Sequence, residues 1–249
     1  MIGMLRRYAR NASPRGEPSS AYAGDVNGDA DLSHPARLMG EPARAAMLVA
    51  LLDGGARPAS ELAAIAGVRP PTASAHLAQL VEGGLLVDRR LGRHRYFSLA
   101  DASVADAVEA LQRIAPRQRV TSLRQSSTAL RLAELRSCYD HLAGRVALVV
   151  ADALVEEGSI APLVAGDVGE ITGEGRAAQL IGLRHETGSG RRPAVRGCLD
   201  WTERRPHIAG ALGADIRSAF LERGWAIGLA HDRSLKLTDA GRDVLAALA

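Results

Sequence analysis

Cysteine and aromatic residues are scarce in this chain, and both shortages restrict what it can be. Two cysteines in 249 residues exclude a disulfide framework and favour a reducing compartment. Aromatic residues make up 3% of the chain and apolar residues 47%, so aliphatic and alanine-rich helices must form the core. The composition therefore predicts a globular protein.

Long apolar runs are also missing. The chain has no run of about 18 apolar residues, the minimum for a transmembrane helix. Its first residues, Met-Ile-Gly-Met-Leu-Arg-Arg, lack the apolar segment of a secretory signal. We therefore expect a cytoplasmic protein with no membrane partner.

Common catalytic motifs are absent as well. The sequence contains no phosphate-binding loop, no G-x-S-x-G elbow and no H-E-x-x-H helix. We predict that the protein is not an enzyme, and a Cys–His nucleophile pair is the one catalytic alternative.

The chain is predicted to have a tail and two domains. Residues 1–31 are rich in small and polar residues without hydrophobic periodicity, which indicates either a disordered tail or an upstream over-extension of the reading frame. Domains are predicted at residues 32–116 and 117–249. The expected fold class is α+β, mainly α-helical with small β-hairpins.

The most regular pattern lies in residues 58–99, after two helices that begin near Ser33, which can cap the first of them, and near Glu41. A short helix capped by Ser60 is followed by Gly67, which can adopt the positive φ of a tight corner. A second helix, strand-like segments at 85–87 and 95–99 and a basic turn at 90–93 come next. This order predicts a winged helix-turn-helix.

Four short segments carry a family resemblance: Ser-Glu-Leu-Ala at 60–63, Thr-Ala-Ser-Ala-His-Leu at 72–77, Glu-Gly-Gly-Leu-Leu at 82–86 and Gly-Arg-His-Arg-Tyr-Phe at 92–97. Their combination resembles the ArsR/SmtB-type winged-helix transcriptional regulators over about a third of the chain. The resemblance implies a homodimer, usually a repressor, that reads an inverted repeat in double-stranded DNA.

The resemblance also implies which residues touch DNA. Polar residues on the second helix would contact bases and phosphates, and arginines of the hairpin would contact the backbone. These positions are Arg69, Thr72, Ser74, His76, Gln79, Arg89, Arg90, Arg93 and Arg95. Four arginines and one aspartate between Gly84 and Arg95 give a local charge of +3. The alternative is a solvated charged face.

An amphipathic helix is expected after the wing, from Asp101 to Ile114. In this family the corresponding helix packs against its symmetry mate, and the alternative is that its apolar stripe covers its own subunit. The metal sites best known in the family use cysteines on the first helix of the helix-turn-helix or a His/Asp pair after the wing. Residues 58–67 contain no cysteine and residues 101–115 no histidine, so we expect no metal there.

Residues 136–181 and 196–246 look like two copies of one pattern. The matched pairs are Arg136/Arg196, Cys138/Cys198, Asp140/Asp200, His141/His207, Gly144/Gly210, Gly158/Gly224, Thr172/Thr238 and Arg176/Arg242. The order of helix, glycine and hairpin also echoes residues 80–85. We predict two degenerate winged-helix-like repeats with a sensory or dimerising role, because their loops hold few positive charges.

A candidate effector site lies in the repeats, at Cys138, His141, Cys198, Trp201, Arg204, Arg205 and His207. Cys138 and His141 would share one face of a helix, away from Asp140, and Pro206 is predicted to open another helix at His207. Three interpretations remain: buried structural residues without a cofactor, a zinc site of two thiols and two imidazoles, or a thiol or small-ligand sensor.

The insert after Cys198 has two interpretations. Trp201, Arg204 and Arg205 can clasp an anionic or aromatic effector, or Trp201 can anchor a surface loop. The whole sequence is read as a sequence-specific DNA-binding regulator, a dimeric repressor that responds to a small effector through its C-terminal half. The alternative is a winged-helix module that binds an effector or a protein without specific DNA recognition.

Overall fold

The computed structural model describes residues 30–116, 122–182, 192–229 and 232–248. The predicted tail, residues 1–31, lies outside these ranges except for its last two residues. Helices and strands are mixed throughout the described ranges, which confirms the predicted fold class. None of the helices found there has the length and apolar character that crossing a membrane requires.

The first half contains a helix-turn-helix followed by a hairpin. Its elements are α1 (Ser33–Met39), α2 (Pro42–Ala50), β1 (Arg57–Pro58), α3 (Ala59–Ala66), α4 (Pro70–Glu82), β2 (Leu86–Leu91), β3 (His94–Leu99) and α5 (Ala102–Ile114). The strands form an antiparallel sheet in the order β1-β3-β2. Gly67 ends α3 at φ 66°, as the corner between α3 and α4 requires.

The predicted caps of two helices were wrong. Asp31, rather than Ser33, accepts a hydrogen bond from the first turn of α1, through the Ser33 amide at 2.8 Å. Ser60 lies inside α3, because extended Pro58 pairs with β3 and the helix starts directly after it. Proline supplies no capping oxygen here, so the strand pairing fixes where the helix begins.

The second half alternates short hairpins with helices. Its elements are α6 (Leu123–Glu134), β4 (Arg136–Cys138), β5 (His141–Ala143), α7 (Arg145–Glu156), β6 (Val168–Gly169), α8 (Arg176–Ile181), β7 (Val195–Leu199), β8 (Pro206–Ala209), α9 (Gly210–Glu222), β9 (Ala226–Gly228), β10 (Leu235–Leu237) and α10 (Asp239–Leu248). The sheets are β4-β5, β6-β7-β8 and β9-β10.

Two helices expected around the cysteines are strands instead. Cys138 and His141 end the two strands of the β4–β5 hairpin, which turns through Tyr139 at φ 58°. Pro206 opens strand β8, where His207 pairs with Cys198 of β7. Cross-strand pairing, rather than the i, i+3 spacing of a helix, places each cysteine beside its histidine.

Within the described ranges, one kind of corner leads from a helix into a hairpin or bridge three times. After α4, α7 and α9 the backbone turns through a glycine with φ between 67° and 77°: Gly84, Gly158 and Gly224. In each case the next amide donates back into the helix at 2.9 Å: Leu85 to Leu80, Ser159 to Leu154 and Trp225 to Phe220. These are Schellman motifs, and each is followed by a strand pair or bridge and a further helix.

The two later copies share a further detail. The Thr172 hydroxyl donates to the Gly158 carbonyl at 2.7 Å, and the Thr238 hydroxyl donates to the Gly224 carbonyl at 2.8 Å. In these copies a hairpin precedes the first helix, β4–β5 before α7 and β7–β8 before α9. In the first half helix α3 takes that place before α4. The repeat detected in the sequence therefore corresponds to a repeated backbone arrangement.

Buried apolar residues form two clusters. One lies among α1 to α5 and the wing, with Met47, Leu62, Leu77 and Phe97 buried inside it. The other lies within the repeats, around Leu154 and Phe220 among others. The clusters fall on either side of the predicted boundary after residue 116, whose position stays a prediction.

Candidate nucleic-acid interface and cysteine–histidine cluster

Helix α4 buries one face and exposes the other. Ala73, Leu77 and Leu80 pack into the first core, while Thr72 and Ser74 are exposed near the N-terminal end. Helix periodicity separates the two faces because Ala73, Leu77 and Leu80 are spaced by four and three residues. The exposed face is short, polar and free of acidic residues in its first turn.

Two predicted contact residues of α4 are held from behind by Arg44. The Arg44 guanidinium donates to Gln79 Oε1 at 2.7 Å and lies 3.4 Å from His76 Nδ1. It also donates to the carbonyls of Leu38 and Arg37, at 2.7 and 2.9 Å. Buried Arg44 therefore fixes the orientation of His76 and Gln79 on the recognition helix.

The wing is the hairpin of β2 and β3, closed by Gly92 at φ 59°. The arginines predicted to lie there are all exposed: Arg89, Arg90, Arg93 and Arg95. Arg69, before α4, is exposed as well. The hairpin thus presents positive charge to solvent beside α4.

Arg95 differs from the other wing arginines because Asp88 binds it. Its Nε and Nη2 donate to the two carboxylate oxygens of Asp88 at 2.5 and 2.8 Å across the hairpin. The hydrogen bond from Arg95 holds the pKa of Asp88 below its usual value. Within the described ranges, no carboxylate forms an ion pair with Arg89, Arg90 or Arg93.

The hairpins β4–β5 and β7–β8 bring together four residues of the predicted effector site. Cys138 and His141 come from β4–β5, and Cys198 and His207 from β7–β8. We name these four residues the Cys/His cluster. One ligand atom from each lies within 4.8 Å of the ligand atoms of the other three, and Cys138, His141 and His207 are buried. Such a set of two thiols and two imidazoles can hold a metal ion.

Like atoms face each other in the Cys/His cluster. The two sulfur atoms lie 3.8 Å apart, and the two Nε2 atoms lie 3.1 Å apart. Both cysteines are free thiols.

An aspartate stands behind each imidazole. Asp140 Oδ1 lies 3.3 Å from His141 Nδ1, and Asp200 Oδ2 lies 3.6 Å from His207 Nδ1. Both aspartates are fixed in turn, Asp140 by Arg192 and Asp200 by the fully buried Arg136 at 2.9 Å. Asp140 was expected on a different side from His141, and the hairpin turn is the reason that it lies beside the ring instead.

Burial and mutual contacts shift the pKa values in the cluster. Burial raises the pKa of Cys138, whereas the hydrogen bond with Cys138 and those with the two imidazoles lower the pKa of Cys198. Burial opposes the charged form of His141, but Asp140, Cys198 and Glu109 outweigh it and raise its pKa to about 9.

Glu109 of α5 completes the surroundings of the thiols. Its carboxylate oxygens lie 2.6 Å from Cys138 Sγ and 3.2 Å from Cys198 Sγ. Burial, and next the charge of Cys198, raise the pKa of Glu109. A helix of the first half therefore contacts the cluster formed by the second half.

Comparison with known proteins agrees with this architecture. Residues 39–89 match a family model described as a helix-turn-helix domain. The uncharacterised HTH-type transcriptional regulator YdfF of Bacillus subtilis (strain 168) is 40% identical over 208 residues, which are 82% of this chain and 91% of the relative. This chain belongs to the ArsR-type helix-turn-helix transcriptional regulators.

Solved structures similar to this regulator match only part of it. The transcriptional repressor BigR of Xylella fastidiosa is 28% identical, with a TM-score of 0.32, over 34% of this chain and 86% of BigR. The cadmium sensor CMTR of Mycobacterium tuberculosis is 33% identical, with a TM-score of 0.30, over 37% of this chain and all of CMTR. Both matches cover little more than a third of the regulator.

Three of the predicted effector residues lie apart from the cluster. Trp201 stacks against the Arg136 guanidinium, whose carbon lies 5.0 Å from the ring centroid. Arg205 donates to Asp152 at 2.5 Å, and Arg204 is exposed at φ 59°. The structure of the regulator therefore does not bring these side chains together as a clasp.

Several residues around the sites escaped the sequence interpretation. Arg44 occupies an inward position of α2 beside buried Met47, and a charge at such a position is a signal that could have been read. Glu109 follows Val108 on α5 and looks like a solvated helix charge. Nothing local in the sequence indicates that it faces two thiols of the regulator more than 25 residues away.

Proposed function

We propose that this regulator binds an operator in double-stranded DNA, with α4 in the major groove and the wing along the phosphate backbone. The observation that carries the proposal is the exposed polar face of α4 beside Arg89, Arg90 and Arg93, which have no ionic partner in the described structure. An arginine that no carboxylate binds remains available to contact phosphate.

The regulator acts as a homodimer that reads an inverted repeat. The support is unpartnered apolar surface at the end of α5 and along α6, namely Leu111, Ile114, Leu123 and Leu130, which are all exposed. None of the α6 residues with a described side chain is buried. A second copy of this chain would cover these residues, and two-fold symmetry would place two half-sites about 10 bp apart or a multiple of that.

Domains at residues 32–116 and 117–249 divide these tasks. The first binds DNA as a cytoplasmic repressor, and the second receives a signal. Support comes from three polar residues on one face of α5, each bound to the repeats: Asp106 to Arg196 at 2.5 Å, Glu109 to the thiols, and Gln112 to Arg233 at 3.1 Å. A change in the repeats therefore has a direct route to the helix after the wing.

The backbone contacts are tested by replacing Arg90 and Arg93 together with alanine. The variant should bind every DNA sequence more weakly, including the DNA upstream of the regulator's own gene. The slope of log K against log salt concentration should become shallower by the equivalent of about two phosphate contacts. Fluorescence anisotropy at several salt concentrations measures both. Lys236→Ala, on the exposed face of the equivalent β9–β10 hairpin, is the matched control and should bind as wild type. An unchanged slope in the double variant would contradict the wing contacts.

Base recognition is tested at Thr72 and Ser74. Alanine at both positions should reduce discrimination between operator and mismatched DNA by about 1–3 kcal/mol per lost base contact. His76 is less suitable, because its replacement also removes one of the contacts of Arg44. If wild-type protein does not distinguish its upstream DNA from random DNA, the protein-interaction alternative is favoured.

Sedimentation of the full chain tests the dimer, and a species of 26.2 kDa alone would contradict it.

A further inference from the structure

We propose that the Cys/His cluster binds one zinc ion tetrahedrally, and that Glu109 transmits its occupancy to the winged helix. The zinc site stands on geometry independently of any DNA binding. The transmission rests on the proposed function.

The separations within the cluster match a zinc tetrahedron. Zn–S bonds of about 2.3 Å and Zn–N bonds of about 2.0 Å give tetrahedral edges of about 3.8 Å between sulfurs and about 3.3 Å between nitrogens. The observed separations are 3.8 Å between the sulfur atoms and 3.1 Å between the Nε2 atoms. All four ligand atoms lie within 4.8 Å of one another, so small side-chain shifts complete the site. Two thiolates and two neutral imidazoles favour zinc over harder cations.

The imidazoles are also oriented as metal ligands. Each Nδ1 faces an aspartate, Asp140 or Asp200, which is the arrangement that holds a ligating histidine and leaves its Nε2 lone pair free. Two Nε2 lone pairs then point at each other across 3.1 Å. Such an arrangement needs a shared proton or a metal ion between the rings.

His207 gives separate support. It is fully buried, and its Nδ1 has no hydrogen-bond partner in the described structure although Asp200 lies 3.6 Å away. A ring held by zinc at Nε2 would carry its proton on Nδ1 and need to move only slightly to donate it to Asp200.

Glu109 cannot keep its contacts when zinc binds. Coordination requires both sulfur atoms as thiolates and both Nε2 atoms unprotonated, so the protons of the two thiols and the proton between the imidazoles would pass to solvent. The Glu109 carboxylate then faces sulfur atoms at 2.6 and 3.2 Å that no longer donate to it. It would turn toward Arg233, whose Nη1 lies 3.6 Å from Oε1, or join the metal, and either change moves the carboxylate relative to α5.

The surroundings of the cluster reach the DNA-binding half at a second place. Tyr139, in the turn between Cys138 and His141, packs against the first core, and its amide donates to the Leu52 carbonyl at 2.5 Å. Closing the β4–β5 hairpin around zinc would therefore also tighten its contact with the chain after α2.

Metal binding is tested directly on the full chain. Reduced protein freed of metal is titrated with Zn²⁺ against a chromophoric chelator, and with Co²⁺ for its thiolate charge-transfer and tetrahedral d–d bands. We expect one ion per chain and both spectral signatures. Cys198→Ser should weaken zinc binding more than about 100-fold, beyond the loss seen when only a second-shell partner is removed. His34→Gln, an exposed histidine outside the cluster, is the matched control and should bind as wild type.

Failure of the wild-type protein to bind Zn²⁺ stoichiometrically would overturn the site, and this measurement does not depend on any variant folding. Binding that survives Cys198→Ser would overturn the ligand set. A Cys138–Cys198 disulfide formed by mild oxidation, in protein that binds no zinc when reduced, would assign the cluster to thiol chemistry instead.

Transmission is tested with Glu109→Gln, which keeps the size of the side chain and removes its charge. In wild type, zinc should change the affinity for the upstream DNA at least about fivefold relative to chelator. Glu109→Gln should still bind one zinc ion but show less than about a twofold change. Glu170→Gln, the same change at an exposed carboxylate of the repeats outside the cluster, is the matched control and should keep the response.

A full response in Glu109→Gln would overturn the transmission and leave the zinc site standing. If neither wild type nor variant binds the upstream DNA, the proposed function fails, while the Co²⁺ spectrum and zinc stoichiometry still decide the site.

Discussion

The winged helix and the two C-terminal repeats share a backbone corner but differ in the chemistry beside it. Gly84, Gly158 and Gly224 all adopt φ between 67° and 77° and close the same hydrogen-bonded motif. After the first corner comes a hairpin with four exposed arginines, whereas in the described part of the equivalent hairpin β9–β10 Arg233 is buried and the exposed cation is Lys236. The backbone arrangement therefore persists where the charge that would bind DNA does not.

The two hairpins that carry the Cys/His cluster form a second comparison. The β4–β5 turn has two residues, and the β7–β8 turn is longer, at residues 200–205, yet both hairpins pair a cysteine with a histidine. The longer turn buries Asp200 against Arg136, with 0% and 1% of the two side chains exposed. Asp140, its counterpart, pairs at the surface with Arg192, with 27% and 44% exposed. Equivalent positions thus serve a buried and an exposed ion pair.

The largest expected effect is a difference in stability between variants of these two aspartates. Asp200→Ala should lower the free energy of unfolding by about 3–5 kcal/mol, because Arg136 would remain buried without its partner. Asp140→Ala should cost about 1 kcal/mol or less, because solvent screens its pair with Arg192. Urea unfolding followed by tryptophan fluorescence measures both, since Trp201 and Trp225 lie in the second half and the chain has two tryptophans.

Equal losses in the two variants would contradict the difference between the repeats. A matched check is Asp200→Asn, which keeps the size of the side chain while removing its charge. It should recover part of the loss through its remaining hydrogen bonds, including the one from the Gly144 amide at 2.7 Å.

The winged helix could be predicted from the sequence because its signals are local. Gly67 and Gly84 mark the corners, and the apolar residues of α4 recur at helical spacing. The family comparison confirms that interpretation. The caps of α1 and α3 were missed because each helix start depends on the residue two positions before the predicted cap, Asp31 in a side-chain contact and Pro58 in a strand pair.

The Cys/His cluster was only half predictable. Repeat symmetry selected the four residues, but spacings of three and nine residues within the copies do not distinguish a helix from a hairpin. The turn adopts a positive φ at Tyr139, where no glycine in the sequence indicates it. The approach of the two hairpins spans some 60 residues and is decided by packing, so only the structure brings the four ligand atoms together.

A smaller effect tests whether the three corners are truly equivalent. Alanine at Gly84, Gly158 or Gly224 should destabilise the protein by about 1 kcal/mol each, because an L-residue resists positive φ. A Cβ atom at each position meets nothing within 4 Å, so strain alone sets the cost. Thermal or urea unfolding of the three variants measures it. A cost several times larger at one corner would show that it carries contacts the others lack.

The smallest expected effect is a change in DNA affinity when the wing and the β9–β10 hairpin are compared. Asp88→Asn removes the carboxylate that binds Arg95 and frees a fourth arginine for phosphate. Affinity for DNA of any sequence should rise about two- to fivefold at moderate salt, with a steeper salt dependence. Lys236→Ala should change neither quantity, because β9–β10 is not expected to reach the backbone. If Asp88→Asn lowers affinity instead, the ion pair orders the wing for binding, and Arg95 acts in the hairpin rather than on the phosphate.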